Sequence, residues 1–172
     1  SVRVWQHWWN IYSGDCTMSS TLYVDSLIEK TSGNGVHIPG HVIQTHWHPV
    51  TASFDSTVNA YVTQSSTTFT PKFTGSKIVV EWSGHVYKYN SVGGGNSAAR
   101  LLYAGSTLWQ NNYLTYLTGS SGEYMYSGLM RGVTTSANTS AATVSFDISA
   151  GTQGRQYVYG NTGGIYIQEI AQ

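Results

Sequence analysis

Three histidines and a tryptophan crowd into one short run, His41, His46, Trp47 and His48, and imidazole is the commonest metal ligand. A zinc site needs deprotonated donors converging within about 2.0–2.3 Å of the ion. Along an extended strand His46 and His48 point to one face, about 6.6 Å apart. His41 has the opposite parity and joins them only through a bulge. Three copies of His46 or His48 around a three-fold axis could hold one metal or anion. Against this, the chain has no His-Glu-x-x-His motif, no Cys pair and no carboxylate beside the histidines. The plainer reading is a strand whose polar face carries histidine, so no metal and no cofactor are expected.

Carboxylates are the next candidates. There are eight: Asp15, Asp25, Glu29, Asp55, Glu81, Glu123, Asp147 and Glu169. Glycoside cleavage requires two of them about 5–10 Å apart, and their scatter along the chain pairs none. Glu81 sits mid-strand beside Trp82, and Glu169 lies near the end of the last strand. No Gly-x-Ser-x-Gly elbow is present. The glycines of SVGGGNS (91–97) are not followed by the Lys-Ser or Lys-Thr of a phosphate-binding loop. No catalytic residue is assigned, and the chain is expected not to be an enzyme.

Recognition fares better than catalysis. The stretch LWQNNYLTYLTGSSGEYMY (108–126) is the richest in aromatic and amide side chains. Tyr and Trp on loops offer apolar faces with a hydrogen-bonding tip, suited to sugars or protein surfaces. Trp109, Asn112, Tyr113 and Tyr116 are the candidate ligand-binding residues, read as loop positions. Loops 91–97 and 134–141 are further candidates.

Composition limits what else the chain can be. Of 172 residues only 9% are charged, against roughly 25% in ordinary soluble domains. Lys plus Arg equals Asp plus Glu, so there is no basic footprint for nucleic acid. No apolar run approaches the roughly 18 residues of a membrane span. The single Cys16 excludes an intrachain disulfide and a Cys-based zinc site. Low charge with abundant Tyr, Thr and Val suits sheets whose surface is buried between subunits.

The elements that must position these residues are strands. Gly, Ser, Thr and Asn punctuate the chain every 8–12 residues or so, and apolar residues alternate with period two. Strands are expected at 41–48, 56–63, 77–89, 97–105, 106–111, 123–133, 141–149, 154–160 and 163–171, with a hairpin at Gly105. Ile78, Val80, Trp82 and Val86 share a face if their strand runs unbroken through Gly84. In the last strand Ile165, Ile167 and Glu169 share one face, and Tyr166, Gln168 and Ile170 the other. Apolar residues on both faces suggest a core on one side and a neighbouring subunit on the other. Tyr166, Ile167 and Ile170 are the expected oligomer interface.

Residues 1–40 read differently, as an extended arm ending at Pro39-Gly40. Its apolar residues Trp5, Trp8, Trp9, Leu22, Val24, Leu27 and Ile28 are expected to bind a partner. A second reading starts the protein at Met18, because Gly14-Asp15 can be encoded by a ribosome-binding sequence just upstream. A domain of about 130 residues from His41 then has the size of one jelly roll.

Three segments carry a resemblance. MSSTLYVDSLIEKTSGNGVHIPGHVIQ, FTPKFTGSKIVVEWSG and the closing IQEIAQ resemble bacteriophage virion proteins, especially those of marine and cyanobacterial phages. The resemblance implies an all-β antiparallel jelly-roll sandwich of about eight to ten strands, similar to the trimeric heads of the tumour necrosis factor and complement-q superfamily. It also implies a virion location, as a fibre tip, appendage or decoration. The implied partners are two further copies of the chain, other virion proteins (capsid, tail or fibre shaft) and a host surface glycan. The family carries no catalytic motif to transfer, and its proteins lack the 17-residue extension. The competing class is a carbohydrate-binding module with Tyr- and Trp-rich loops.

Overall fold

The computed structural model describes residues 38–90, 95–117, 122–151 and 155–172. The arm residues Trp5, Trp8, Trp9, Leu22, Val24, Leu27 and Ile28 lie outside that range. Within it the secondary structure is β throughout, in ten strands. They are β1 (Val42–Pro49), β2 (Phe54–Ser56), β3 (Val62–Phe69), β4 (Lys77–Asn90), β5 (Gly95–Tyr103), β6 (Ser106–Leu117), β7 (Gly122–Thr135), β8 (Ala142–Ser149), β9 (Arg155–Val158) and β10 (Gly164–Ile170).

Pairing is nested. β1 pairs with β10, β2 with β9, β3 with β8, β4 with β7 and β5 with β6, all antiparallel. The first strand therefore meets the last, as in a long hairpin rolled up on itself. β10 and β9 lie end to end along one edge of β4, opposite Lys77–Ser83 and Val86–Tyr89. Taken as one interrupted strand, with β1 and β2 likewise as another, they reduce the count to eight. One sheet runs β1/β2, β10/β9, β4, β7, and the other runs β3, β8, β5, β6. This is a double-sheet jelly roll.

Alternation decides which side chains fill it. On β4, Ile78, Val80, Trp82 and Val86 all point inward and are fully buried, so the strand does run unbroken through Gly84. The opposing sheet contributes Ala99, Leu101, Val144, Phe146 and Ile148. Trp82 and Phe146 stack across the gap with ring centroids 4.0 Å apart and planes 15° from parallel. Room for two of the rings comes from an opposed glycine pair, Gly84 and Gly128. A Cβ on Gly84 would sit 2.9 Å from the Trp82 ring, and one on Gly128 2.6 Å from Tyr126.

The β5–β6 hairpin closes on two residues, Ala104 and Gly105, with φ of 49° and 79°. Positive φ at both positions is the turn whose twist matches flanking strands. Other boundaries move from the sequence reading. The strand expected at 56–63 splits: β2 ends at Ser56 and β3 starts at Val62. β3, VTQSSTTF, shows almost no apolar alternation, yet Ser65 and Phe69 are buried in it. β5 and β7 extend by two residues each into segments read as loops.

One polar node closes the end of the roll. Glu169 on β10 is fully buried and accepts from the backbone N–H of Lys72 and Phe73, the Ser76 hydroxyl and the Gln44 amide, at 2.6–3.0 Å. Ser136 secures the same turn by donating to the Phe73 carbonyl at 2.6 Å. Burial by itself raises the carboxyl's pKa, but these donors outweigh it and hold Glu169 below the usual glutamate range. The node joins HVIQ, TPKFTGS and IQEIA, parts of the three segments that carry the resemblance. Their shared chemistry is structural.

Candidate assembly and ligand surfaces

The outward face of the β4–β7 sheet is built by odd-numbered residues of both strands. Register places Leu129 beside Ser83, Arg131 beside Glu81 and Val133 beside Val79. Leu129, Val133 and Met125, on the edge strand β7, are 58%, 48% and 48% exposed. Val79 between them is already covered. Farther across lie Tyr166 and, opposite it on β1, the half-exposed Trp47. At the β9 end Tyr87, Tyr157 and Tyr159 form a cluster with centroids 4.7–5.2 Å apart. A hydrogen bond with Tyr159, with lesser help from burial, pushes the Tyr157 phenol up to about 12. Two arginines on this sheet are matched locally, Arg131 to Glu81 at 3.2 Å and Arg155 to Asp55 at 2.5 Å.

Ile167 was expected at an oligomer interface, and the structure corrects this. It is fully buried in the core with Ile165, because it shares the inward parity of Glu169. Tyr166 and Ile170, half-buried on the opposite face, keep the outward position.

The histidines divide as strand parity requires. His46 faces inward and its Nε2 lies 3.0 Å from the Thr67 hydroxyl of the opposite sheet. His48, on the same face, borders a 220 Å³ hollow with Val50, Gln64 and Ser65. Trp47 points the other way. Among the described residues no three His, Cys, Asp or Glu side chains converge on a common point. Four of the described carboxylates are likewise held in place: Asp55, Glu81 and Asp147 by arginines, and Glu169 by its turn.

The aromatic stretch read as loop is mostly strand, since β6 continues to Leu117. Trp109 is half-buried against the core and offers no open platform. Tyr116 pairs through its backbone with Asn96. Tyr113 is 70% exposed, and Asn112 reaches into a 220 Å³ hollow on the outside of the β3–β8–β5–β6 sheet. Asn59, Tyr61, Asn96 and Ser149 line it with Asn112, above a floor of Ala98 and Gly151. Asn112 stood out in the sequence and Asn96 lies in the candidate loop 91–97; the others lie on separate segments that the roll brings together.

A lysine is buried where sequence reading offered no warning. Lys88 on β4 is fully buried and donates to the Ala150 carbonyl. Burial disfavours its charge and pulls its pKa below the usual lysine value.

No family model matches the chain, and no curated protein matches it. Among solved structures, the infectious bursal disease virus VP2 subviral particle is similar at 16% identity and a TM-score of 0.40, over 74% of this chain and 33% of that one. The Gx strain of the same virus gives 10% and 0.30, over 77% of this chain and 43% of that one. A further particle of the virus gives 13% and 0.28, over 78% and 40%. The chain thus spans less than half the length of each. Likeness this remote carries no argument about function.

Proposed function

We propose that the chain is a non-enzymatic virion structural protein, a jelly-roll head of the bacteriophage type described above. Three copies associate, and the N-terminal arm, residues 1–40, docks on capsid, tail or fibre-shaft protein. The supporting observation is the outward β4–β7 face. Leu129, Val133 and Met125 stand exposed there with Trp47 and the tyrosine cluster, and the arginines already have acidic partners. Such a surface gains from burial and needs no external countercharge. Tyr166 and Ile170 belong to the same sheet and extend the interface. Three arms carried on one head gain avidity through effective concentration even where each binds weakly.

The test is the native mass of the full chain by light scattering behind a sizing column, with mass spectrometry of purified particles. A mass near three times 18.8 kDa, with the chain's peptides in the particles, supports the proposal. A monomer at high concentration overturns the trimer, and absence from particles overturns the location. The second reading, a carbohydrate-binding module that displays the domain to host glycans, is favoured by the amide-lined hollow at Asn112.

A further inference from the structure

The hollow on the outside of the β3–β8–β5–β6 sheet has its polar groups already oriented. Asn112 Oδ1 accepts from the Tyr61 hydroxyl at 2.9 Å and from Gln110 Nε2 at 2.7 Å. That spends the acceptor side of the amide and turns its two N–H donors away from these partners. Asn96 Nδ2 donates to the Asn112 carbonyl at 2.8 Å, which leaves Asn96 Oδ1 as an acceptor. Ser149 Oγ accepts from the Gly151 N–H at 3.3 Å and keeps its own hydroxyl proton to donate. Donors and acceptors therefore both belong to residues lining one small cavity, held by these bonds.

Charge and size narrow what fits. The ionic groups next to the cavity neutralise each other: Arg100 Nη2 and Nε both reach Asp147 Oδ2 at 2.9 Å. The same guanidinium lies 4.3 Å from the centre of the Tyr61 ring, fixing the ring at the cavity wall. A phosphate, sulfate or carboxylate would find no unpaired cation among the residues lining the cavity. At 220 Å³ the space falls below the roughly 300–1,000 Å³ of sites for drug-sized molecules, so it admits about one ring. The small floor residues Ala98 and Gly151 leave that room open.

We infer that this hollow, lined by Asn59, Tyr61, Asn96, Asn112 and Ser149, is a binding site for one residue of a neutral glycan. Amide and hydroxyl groups in fixed positions pair with vicinal ring hydroxyls as donor and acceptor, and pre-organisation spares the cost of ordering them on binding. This deepens the host-contact part of the proposed function. It depends on the hollow alone and not on the trimer.

The experiment uses the full chain in saturation-transfer difference NMR. The probes are methyl glycosides of neutral hexoses, deoxyhexoses and N-acetylhexosamines, with N-acetylneuraminate and inorganic sulfate as charged probes. At least one neutral glycoside is expected to bind with a dissociation constant on the order of millimolar. Asn112→Ala should weaken it at least tenfold, and Ala98→Leu, which fills the floor but keeps every amide, should abolish it. Thermal unfolding of both variants confirms that they fold. Overturning results are silence from every neutral glycoside, preference for a charged probe, or binding unchanged in both folded variants. Native mass measured on the same sample tests the trimer separately, so either idea can fail alone.

Discussion

At the scale of single residues, two buried ionisable groups both make stability rise with pH, one in the acid range and one in the alkaline range. Glu169 has its folded pKa lowered by donors from Ser76, Lys72, Gln44 and Phe73, against the effect of burial. Its contribution to stability is present above the unfolded value near 4.5 and is lost as pH falls through the lower folded value. Glu169→Gln keeps the shape but removes the charge that four donors address. Urea unfolding at neutral pH should show a loss of about 2–4 kcal/mol, with a shallower decline toward acid than the parent chain. Lys88 has the same sign in an alkaline window. Its folded pKa lies below 10.5 because burial penalises the ammonium, so the unfolded chain binds the proton more readily. Stability from this group therefore rises with pH between the lowered value and about 10.5. In Lys88→Met that slope should vanish, read as the difference between the two proteins' unfolding midpoints from neutral to alkaline pH.

At the scale of elements, hairpin closure and the inter-sheet stack carry the order of the roll. Ala104 and Gly105 close β5 onto β6 with positive φ at both positions, a geometry that glycine adopts without steric cost. A Cβ on Gly105 would meet nothing within 4 Å, so any penalty there comes from backbone conformation alone. Gly105→Ala should cost about 1 kcal/mol and leave the fold unchanged, checked by thermal unfolding and circular dichroism. The node around Glu169 does comparable work at the other end. It ties the β3–β4 turn to β10 and to β1 through side chains from two strands and two connecting segments, so the shape of that turn does not depend on its own sequence alone.

At the scale of the whole molecule, the outward β4–β7 face decides between a single domain and an assembly. Leu129 and Val133 are exposed in the isolated chain, so replacing them should alter monomer stability by less than about 0.5 kcal/mol. If three copies bury this face, Leu129→Asp combined with Val133→Lys should shift the native mass to that of a monomer while the unfolding midpoint of dilute protein barely moves. An unchanged trimer would place the interface elsewhere on the roll. The arm and the interface answer different questions, and the double variant leaves the arm untouched.

The sequence by itself determined the strand content, because period-two alternation and turn residues are local properties. It placed Ile78, Val80, Trp82 and Val86 on one buried face correctly, since parity along an unbroken strand needs no tertiary information. It also separated His46 from Trp47 and set Ile165 and Glu169 together. The expected interface of Tyr166, Ile167 and Ile170 drew on both faces of the last strand, and only the burial of Ile165, Ile167 and Glu169 together shows which face meets the core. β3 escaped notice because a strand of Ser, Thr and Gln has no apolar rhythm, and only its pairing with β8 holds it in the sheet. The nested pairing of first strand with last, the burial of Lys88 and the gathering of Asn59, Asn96 and Asn112 around one hollow join residues far apart in the chain. Only the closed tertiary structure decides such contacts, because the loop entropy they cost is repaid by packing that no local segment contains.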